Sequence, residues 1–405
     1  MALVRRFDEA AKITVFFVGL AALLFCGRAD LEPTVFDVTK YGATGDGQSE
    51  SAQAFIQAWN AACRANGGAK VLIPPGTYLS GEVFFVGPCN CAKPITVEVQ
   101  GSVLAQTDLS EYPNGQWFSF EDVDGLVVTG AGTFNGQGEA SWHYDSCGRQ
   151  AVCNSPLPPS IKFQQVTNGV VRDINLVDSK GFHMTITSCT NFLAERLKIT
   201  APAESPRTDG IHISRSNGVQ VLNSFIGTGD DCVSIGDNSN DVKVIGITCG
   251  PGHGISIGSL GKPQEQSVKG VYVGHCTLSN TDNGLRIKTF HNSPRIEASG
   301  ITFEDITMND VKNPIIIDQN YQSEKNQGAS LVKISDVHFR NVRGTTVSNV
   351  AVTLDCSSAI PCEGIELADI DLALSPNAPK KFPLSATCSN AKTFSRGKQS
   401  PLACR

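Results

Sequence analysis

Short stretches of alternating apolar and polar residues recur along most of this chain, each closed by Asn, Asp or Gly, and no other feature restricts the fold as strongly. They begin at Gly169 (VVRDINLVDS), Asn191 (FLAERLKITA), Gly218 (VQVLNSFIGTG), Asp241 (VKVIGITCGPG), Gly270 (VYVGHCTLSNT) and Gly300 (ITFEDITMNDV), and again at Val332 (KISDVHFRNVRG). The starts lie roughly 22 to 32 residues apart, the range of a solenoid coil. Alternation with period two sends every second side chain inward. A β-sandwich alternates as well, but most successive runs here lack the Asn-Gly hairpin that would turn the chain back on itself. The expected fold is therefore all-β: a right-handed single-stranded parallel β-helix, with residues 30–405 as one domain.

A solenoid needs caps, because an open coil end exposes apolar side chains and unpaired backbone. The segment Ser49 to Ala65 (SESAQAFIQAWNAACRA) predicts the N-terminal capping helix. Ala54, Ile56, Trp59 and Cys63 supply its apolar face, and Gly67-Gly68 ends it. The tail from Pro376 to Arg405 shows little periodicity and is expected to be stapled by Cys388 and Cys404.

Arg5, Arg6 and Lys12 precede an apolar run from Ile13 to Cys26, and Arg28-Ala29 follows. A run of about 14 residues is short for a membrane span and suits a signal peptide over residues 1–29. Secretion fits the cysteines. Cys147 with Cys153, Cys232 with Cys249, Cys356 with Cys362 and Cys388 with Cys404 are close enough in sequence to be easy disulfides, and Cys63 can pair with Cys89 or Cys91. Cys189 and Cys276 sit inside alternating apolar runs and read as buried free thiols. No paired C-x-x-C cluster supports zinc. A net charge of −6 leaves no global basic field for nucleic acid, and there is no N-x-[ST] acceptor. The expectation is a soluble exported monomer, without cofactor or metal.

Four short motifs carry chemistry. Asp209 lies in SPRTDGIHI, and Asp230 and Asp231 lie one coil later in GTGDDCVSIG. A solenoid stacks these carboxylates on adjacent rungs, and paired carboxylates across a glycosidic bond are the usual equipment for sugar hydrolysis. A single Asp here would read as a polar corner; three do not. His253 follows in CGPGHGISIGSLG, with flanking glycines that permit close approach of backbone and ligand. Arg286 and Lys288 in GLRIKT project from the same strand face, where a substrate carboxylate, or the aspartates themselves, would balance them. Tyr321 in IIIDQNY lies a further coil on.

Together these motifs resemble the polygalacturonase family, glycoside hydrolase family twenty-eight, from VFDVTKYGATGDG to the last cysteines. Their wording is similar to the plant branch, and within it to the pollen-type exo-acting enzymes. The resemblance implies hydrolysis of α-1,4-galacturonosyl linkages in pectin with inversion. Asp230 is then the general acid, Asp209 and Asp231 the pair that activates water, and His253 the support of the acid. Arg286, Lys288 and Tyr321 hold the galacturonate. Two departures stand out. Arg207 occupies the place of the family's Asn in Asn-Thr-Asp, where it could lower the pKa of Asp209 or block the sugar. The segment after Tyr321 (QSEKNQGAS) also lacks a cysteine pair common in pollen-type relatives. The competing readings are endo action, a rhamnogalacturonan hydrolase, and a wall-binding β-helix silenced by Arg207. A calcium-dependent lyase is disfavoured, because nothing in the sequence resembles a calcium cage.

Overall fold

The computed structural model describes residues 32–144, 156–322, 328–379 and 383–404. The expected signal segment and the Cys147–Cys153 pair lie outside them. Eleven parallel strands, from Val83–Val86 to Ser385–Ser389, stack into one ladder, called the groove sheet below. Two further parallel ladders join at the long strand Glu297–Val311 to give a 22-stranded sheet. The chain visits the ladders in turn, which makes a parallel β-helix, as the repeat requires.

The groove sheet stacks in register through most of its length, with shifts at Ile257/Leu260, Lys288/Phe290 and Val350/Val352. One inward column runs Phe85, Phe120, Phe163, Ile186, Ile213, Ile235, Ile257, Ile287, Ile317 and Leu354, each paired with the next. All are buried. Burying each such side chain contributes about 1.5–3 kcal/mol, so the column is a spine of the core. The chain leaves this sheet through single residues with left-handed backbone. Asp122, Gln165, Ser188, Arg215 and Asn238 mark successive corners, with φ of 50–56°. Such φ values are uncommon for residues other than Gly, and here they recur rung after rung.

The capping helix spans Ala52–Cys63, shorter than expected, since Arg64 closes it and Gly68 already starts the strand Gly68–Ile73. It packs against that strand and against Thr34–Asp37 and Val83–Val86. Trp59 stacks on Phe85 at 4.6 Å, and its indole donates to the Val86 carbonyl at 3.1 Å. Ala54, Trp59 and Cys63 are buried as expected, whereas Ile56 is half-buried and Phe55 and Ala58 complete the face.

The tail corrects another expectation. Strands Ser385–Ser389 and Ala391–Ser400 continue the coil by one rung. Their alternation is faint because a last rung has one uncovered side, and polar residues occupy it.

Four disulfides form among the described residues: Cys63–Cys89, Cys232–Cys249, Cys356–Cys362 and Cys388–Cys404. Cys91, Cys189 and Cys276 are free and buried. Cys232 directly follows Asp231, so its bridge ties a candidate catalytic loop to the rung that carries His253. Closing a 17-residue separation stabilises the fold by roughly 3 kcal/mol in the chain-entropy account. The double change Cys232→Ser/Cys249→Ser should lower the melting temperature by roughly a few degrees. It should reduce turnover more than a comparable loss of stability elsewhere. An unchanged melt and unchanged kcat would refute this role.

Candidate active site

Asp209, Asp230, Asp231, Lys288 and Tyr321 line one cleft of about 650 Å3 over the groove sheet. His253 and Arg286 join it through hydrogen bonds to Asp230 and Asp231. The fold thus brings all seven residues together. The three aspartates lie in the loops that lead into consecutive strands, Ile211–Ser214 and Val233–Ile235. Gly210 N–H donates to the Asp231 carbonyl at 2.9 Å, which locks the two loops to each other.

Each aspartate has a different environment. Asp231 is nearly inaccessible. Its Oδ1 accepts from Arg286 Nη2 at 2.6 Å and Ser256 Oγ at 2.8 Å, and its Oδ2 accepts from Lys288 Nζ at 2.8 Å. Burial alone would raise its pKa, but the charges of Arg286 and Lys288 reverse this and hold it at about 2. The two cations therefore both face one buried aspartate.

Asp209 is the opposite case. Burial pushes its carboxyl well above the ordinary range, and the neighbouring Asp230 and Asp231 push the same way. Asp230 is the most accessible of the three. Its Oδ1 accepts from the Asp231 N–H at 2.8 Å and meets His253 Nδ1 at 2.9 Å. The hydrogen bond to Asp230 raises the pKa of His253. The flanking glycines are sterically required: a Cβ on Gly252 would lie 2.6 Å from the Asp230 carbonyl oxygen, and one on Gly254 would lie 2.0 Å from that of Asn283.

Three further residues belong to the site. Ser234 donates to Asp209 Oδ2 at 2.7 Å, and His212 Nδ1 lies 2.8 Å from the same hydroxyl. While Asp209 is ionised, Ser234 gives it its proton and accepts from His212 Nδ1–H. When Asp209 is protonated the chain can reverse, so both states are satisfied. Burial and the charges of Lys262 and Lys288 lower the pKa of His212 to about 4, so this imidazole is neutral above that. Ser256 repeats the arrangement one rung on, between Asp231 and Arg286 Nε at 2.9 Å. These residues stand within the motifs already quoted, in DGIHI, CVSIG and GISIG; the signal was a serine 25 residues after each aspartate.

Buried His183 shapes the loop from the other side. Its Nδ1 lies 3.3 Å from the Asp209 carbonyl, and its Nε2 lies 3.3 Å from Ser179 N and 3.2 Å from the Thr200 carbonyl, so the ring ties three backbone segments together. Arg207 is half-buried, lines the cleft, and has a left-handed φ of 52°. The pKa of Asp209 is raised beside it, through burial and the two neighbouring aspartates.

Asp230, Asp231 and His253 also bring ligand-type atoms within 4.8 Å of one another. Both Asp231 oxygens already face cations, and His253 Nδ1 faces Asp230. These groups are organised around protons rather than around a shared metal position.

Fold and cleft define a parallel β-helix with three carboxylates, a histidine and two cations gathered on one face. Residues 63–403 match the family described as Glycosyl hydrolases family 28, and the chain belongs to that family. It is 47% identical to an exopolygalacturonase of Arabidopsis thaliana over 92% of this chain and 88% of the relative. An exopolygalacturonase of Platanus acerifolia is 42% identical, over 91% and 97%. The fold is also that of a hyperthermoactive exopolygalacturonase from Thermotoga maritima, with a TM-score of 0.76, 17% identity and 90% of each chain covered.

Ser234→Ala removes a donor that favours ionised Asp209, so the pKa of Asp209 rises further. The acidic limb of the pH profile of kcat/KM should then move up by about one pH unit, since a charge-assisted hydrogen bond is worth roughly 1.5 kcal/mol. An acidic limb that stays in place would show that Asp209 does not control it.

Proposed function

We propose that this protein hydrolyses α-1,4-galacturonosyl linkages in polygalacturonate, removing units from a chain end with inversion. The observation that carries this reading is the unequal treatment of three carboxylates in one cleft. One is held ionised by two cations, one is pushed toward its protonated form, and one is held against a histidine. Inverting hydrolysis of a sugar linkage needs one carboxyl group to give a proton and another to take one, and carboxyls with unequal surroundings in one cleft can divide those roles. Membership of the family and the likeness to plant exopolygalacturonases supply the substrate and the exo preference.

In this mechanism Asp230 gives a proton from Oδ2 to the leaving glycosidic oxygen, because its Oδ1 is already occupied by the Asp231 N–H and by His253. Asp209 and Asp231 hold the attacking water, and Asp209 Oδ1 takes its proton as the bond to the anomeric carbon forms. Arg286 has five N–H donors and Lys288 three. Each spends only part of its set on Asp231 and Ser256, so both can also grip a galacturonate carboxylate. Lys288 Nζ lies 5.2 Å from the Tyr321 ring centre, and Tyr321 lies 5.8 Å from Phe290, which closes that side of the cleft. The protein acts outside the cell, on the cell wall, as four disulfides among the described residues suit an oxidising compartment.

Asp230→Asn should lower kcat by several orders of magnitude with the thermal melt preserved, because proton donation and its electrostatic partner are lost together. A variant that keeps more than about a tenth of the wild-type rate on polygalacturonate would remove Asp230 from the acid role. Early products should be monogalacturonate with a slow fall in viscosity; mixed oligomers with a rapid fall would mean endo action.

The pH profile should be a bell on the acidic side of neutrality. Activity rises as Asp209 loses its proton, above the usual carboxylate value of about 3.9, and falls as His253 loses its own, above about 6.5. His253→Gln should abolish the alkaline limb while lowering kcat. An alkaline limb that survives this change would assign it to another group.

A further inference from the structure

N-terminal to Asp209 the cleft continues into a second pocket of about 300 Å3. Pro156, Phe182, Arg207 and Arg215 line both spaces, so they form one continuous groove. The second space has a distinctive charge. Lys162, Arg207 and Arg215 line it, and no carboxylate does among the described residues. This happens in a chain of net charge −6, in which Arg286, Lys288 and Arg340 are each matched with an acid. Among the described residues, Lys162, Arg207 and Arg215 have no such partner. Three cations facing one hollow repel one another unless an anion enters it.

Register fixes where this charge lies along the groove. Lys162 stands in the outward column that continues through Thr185, His212, Ser234 and Ser256 to Arg286, each paired with the next. At about 4.8 Å per rung, Lys162 lies roughly 10 Å before the rung of His212, and Arg286 about 14 Å beyond it. The aspartates therefore stand between two cationic stations on one straight track. Arg215 reaches the track from the left-handed corner that ends the strand Ile211–Ser214, and Arg207 from the loop before Asp209. Phe182, with its ring 5.3 Å from that of His212, offers an apolar face beside them. Guanidinium groups suit a carboxylate because their planar N–H pairs match its two oxygens.

We propose that Lys162, Arg207 and Arg215 form a second uronate subsite, on the opposite side of the scissile bond from Arg286 and Lys288. The inference rests on the polygalacturonate reading above and deepens it: the protein reads substrate charge on both sides of the cut. An esterified sugar on the Lys162 side forfeits its ionic partners there, even when the unit beside Arg286 is free acid.

The test uses trigalacturonate and its methyl ester, bound to the Asp230→Asn protein and followed by calorimetry. Adding Lys162→Gln and Arg215→Gln together should weaken trigalacturonate binding ten- to hundredfold, and should reduce the salt dependence of Kd. Binding of the ester should change little. In the active protein the same pair of changes should reduce the preference of kcat/KM for the free acid over the ester by a similar factor. Arg207→Asn should act in the same direction alone. Unchanged affinity for the acid, or an equal loss for acid and ester, would overturn the subsite. If the wild-type protein releases no reducing ends from polygalacturonate, the activity reading fails instead, and the binding arm still decides whether the pocket takes uronates.

Discussion

Everything at this site depends on strands stacked in register, one residue above its equivalent on the next rung. The inward column of Phe, Ile and Leu fixes the pleat, and the pleat then dictates which residues face outward. His212, Ser234, Ser256 and Arg286 are therefore neighbours in space although they span four coils of sequence. A slip of one residue would bury them and expose the spine. The stability of the core and the geometry of the cleft are two faces of one constraint.

The ion pairs at Asp231 follow from this rigidity. Burying a carboxylate with two cations gains little net stability, since desolvation offsets most of the attraction. Its value lies in the chemistry. Arg286 and Lys288 keep Asp231 ionised, while burial, with the charges of Asp230 and Asp231 added to it, raises the pKa of Asp209 next to it. Two identical side chains thus acquire opposite protonation preferences from their surroundings. In the proposed mechanism the substrate shares donors that Arg286 and Lys288 still have free, and the pair need not break.

Much of this was legible in the sequence, and the limits have physical reasons. The coil repeat gave the fold class, because alternation and spacing survive in each rung. All seven candidate residues fall in one place because motifs at matching positions of successive coils must stack. What the sequence hid was register. The loops between strands vary in length, so the shared spacing of 25 residues from Asp209 to Ser234 and from Asp231 to Ser256 gains its meaning only once the rungs are in place, and no such spacing marks His212. The choice of Cys89 over Cys91 as the partner of Cys63 was hidden as well, since both lie in the loop between Val83–Val86 and Ala92–Val99, and spacing does not say which of them meets the capping helix. The last rung was missed because alternation requires two covered faces, and an end has one.

The reading of Arg207 changes once its loop is placed in three dimensions. By sequence distance it belongs to Asp209, two residues away, and would be expected to act on that carboxylate. In the fold its backbone adopts the left-handed region, and the residue lines both the catalytic cleft and the pocket beyond it. Asp209 meanwhile is governed by burial and by the two other aspartates. A charge close in sequence to Asp209 thus lines a space that reaches beyond it, which is why the proposed role of Arg207 is toward a ligand. The same logic separates Arg215 from the strand it ends: its corner has the backbone of a structural turn, yet the residue lines the groove. In a solenoid the corner residues are repeated for architecture, and the rung on which a corner carries a cation determines where along the track it meets a substrate.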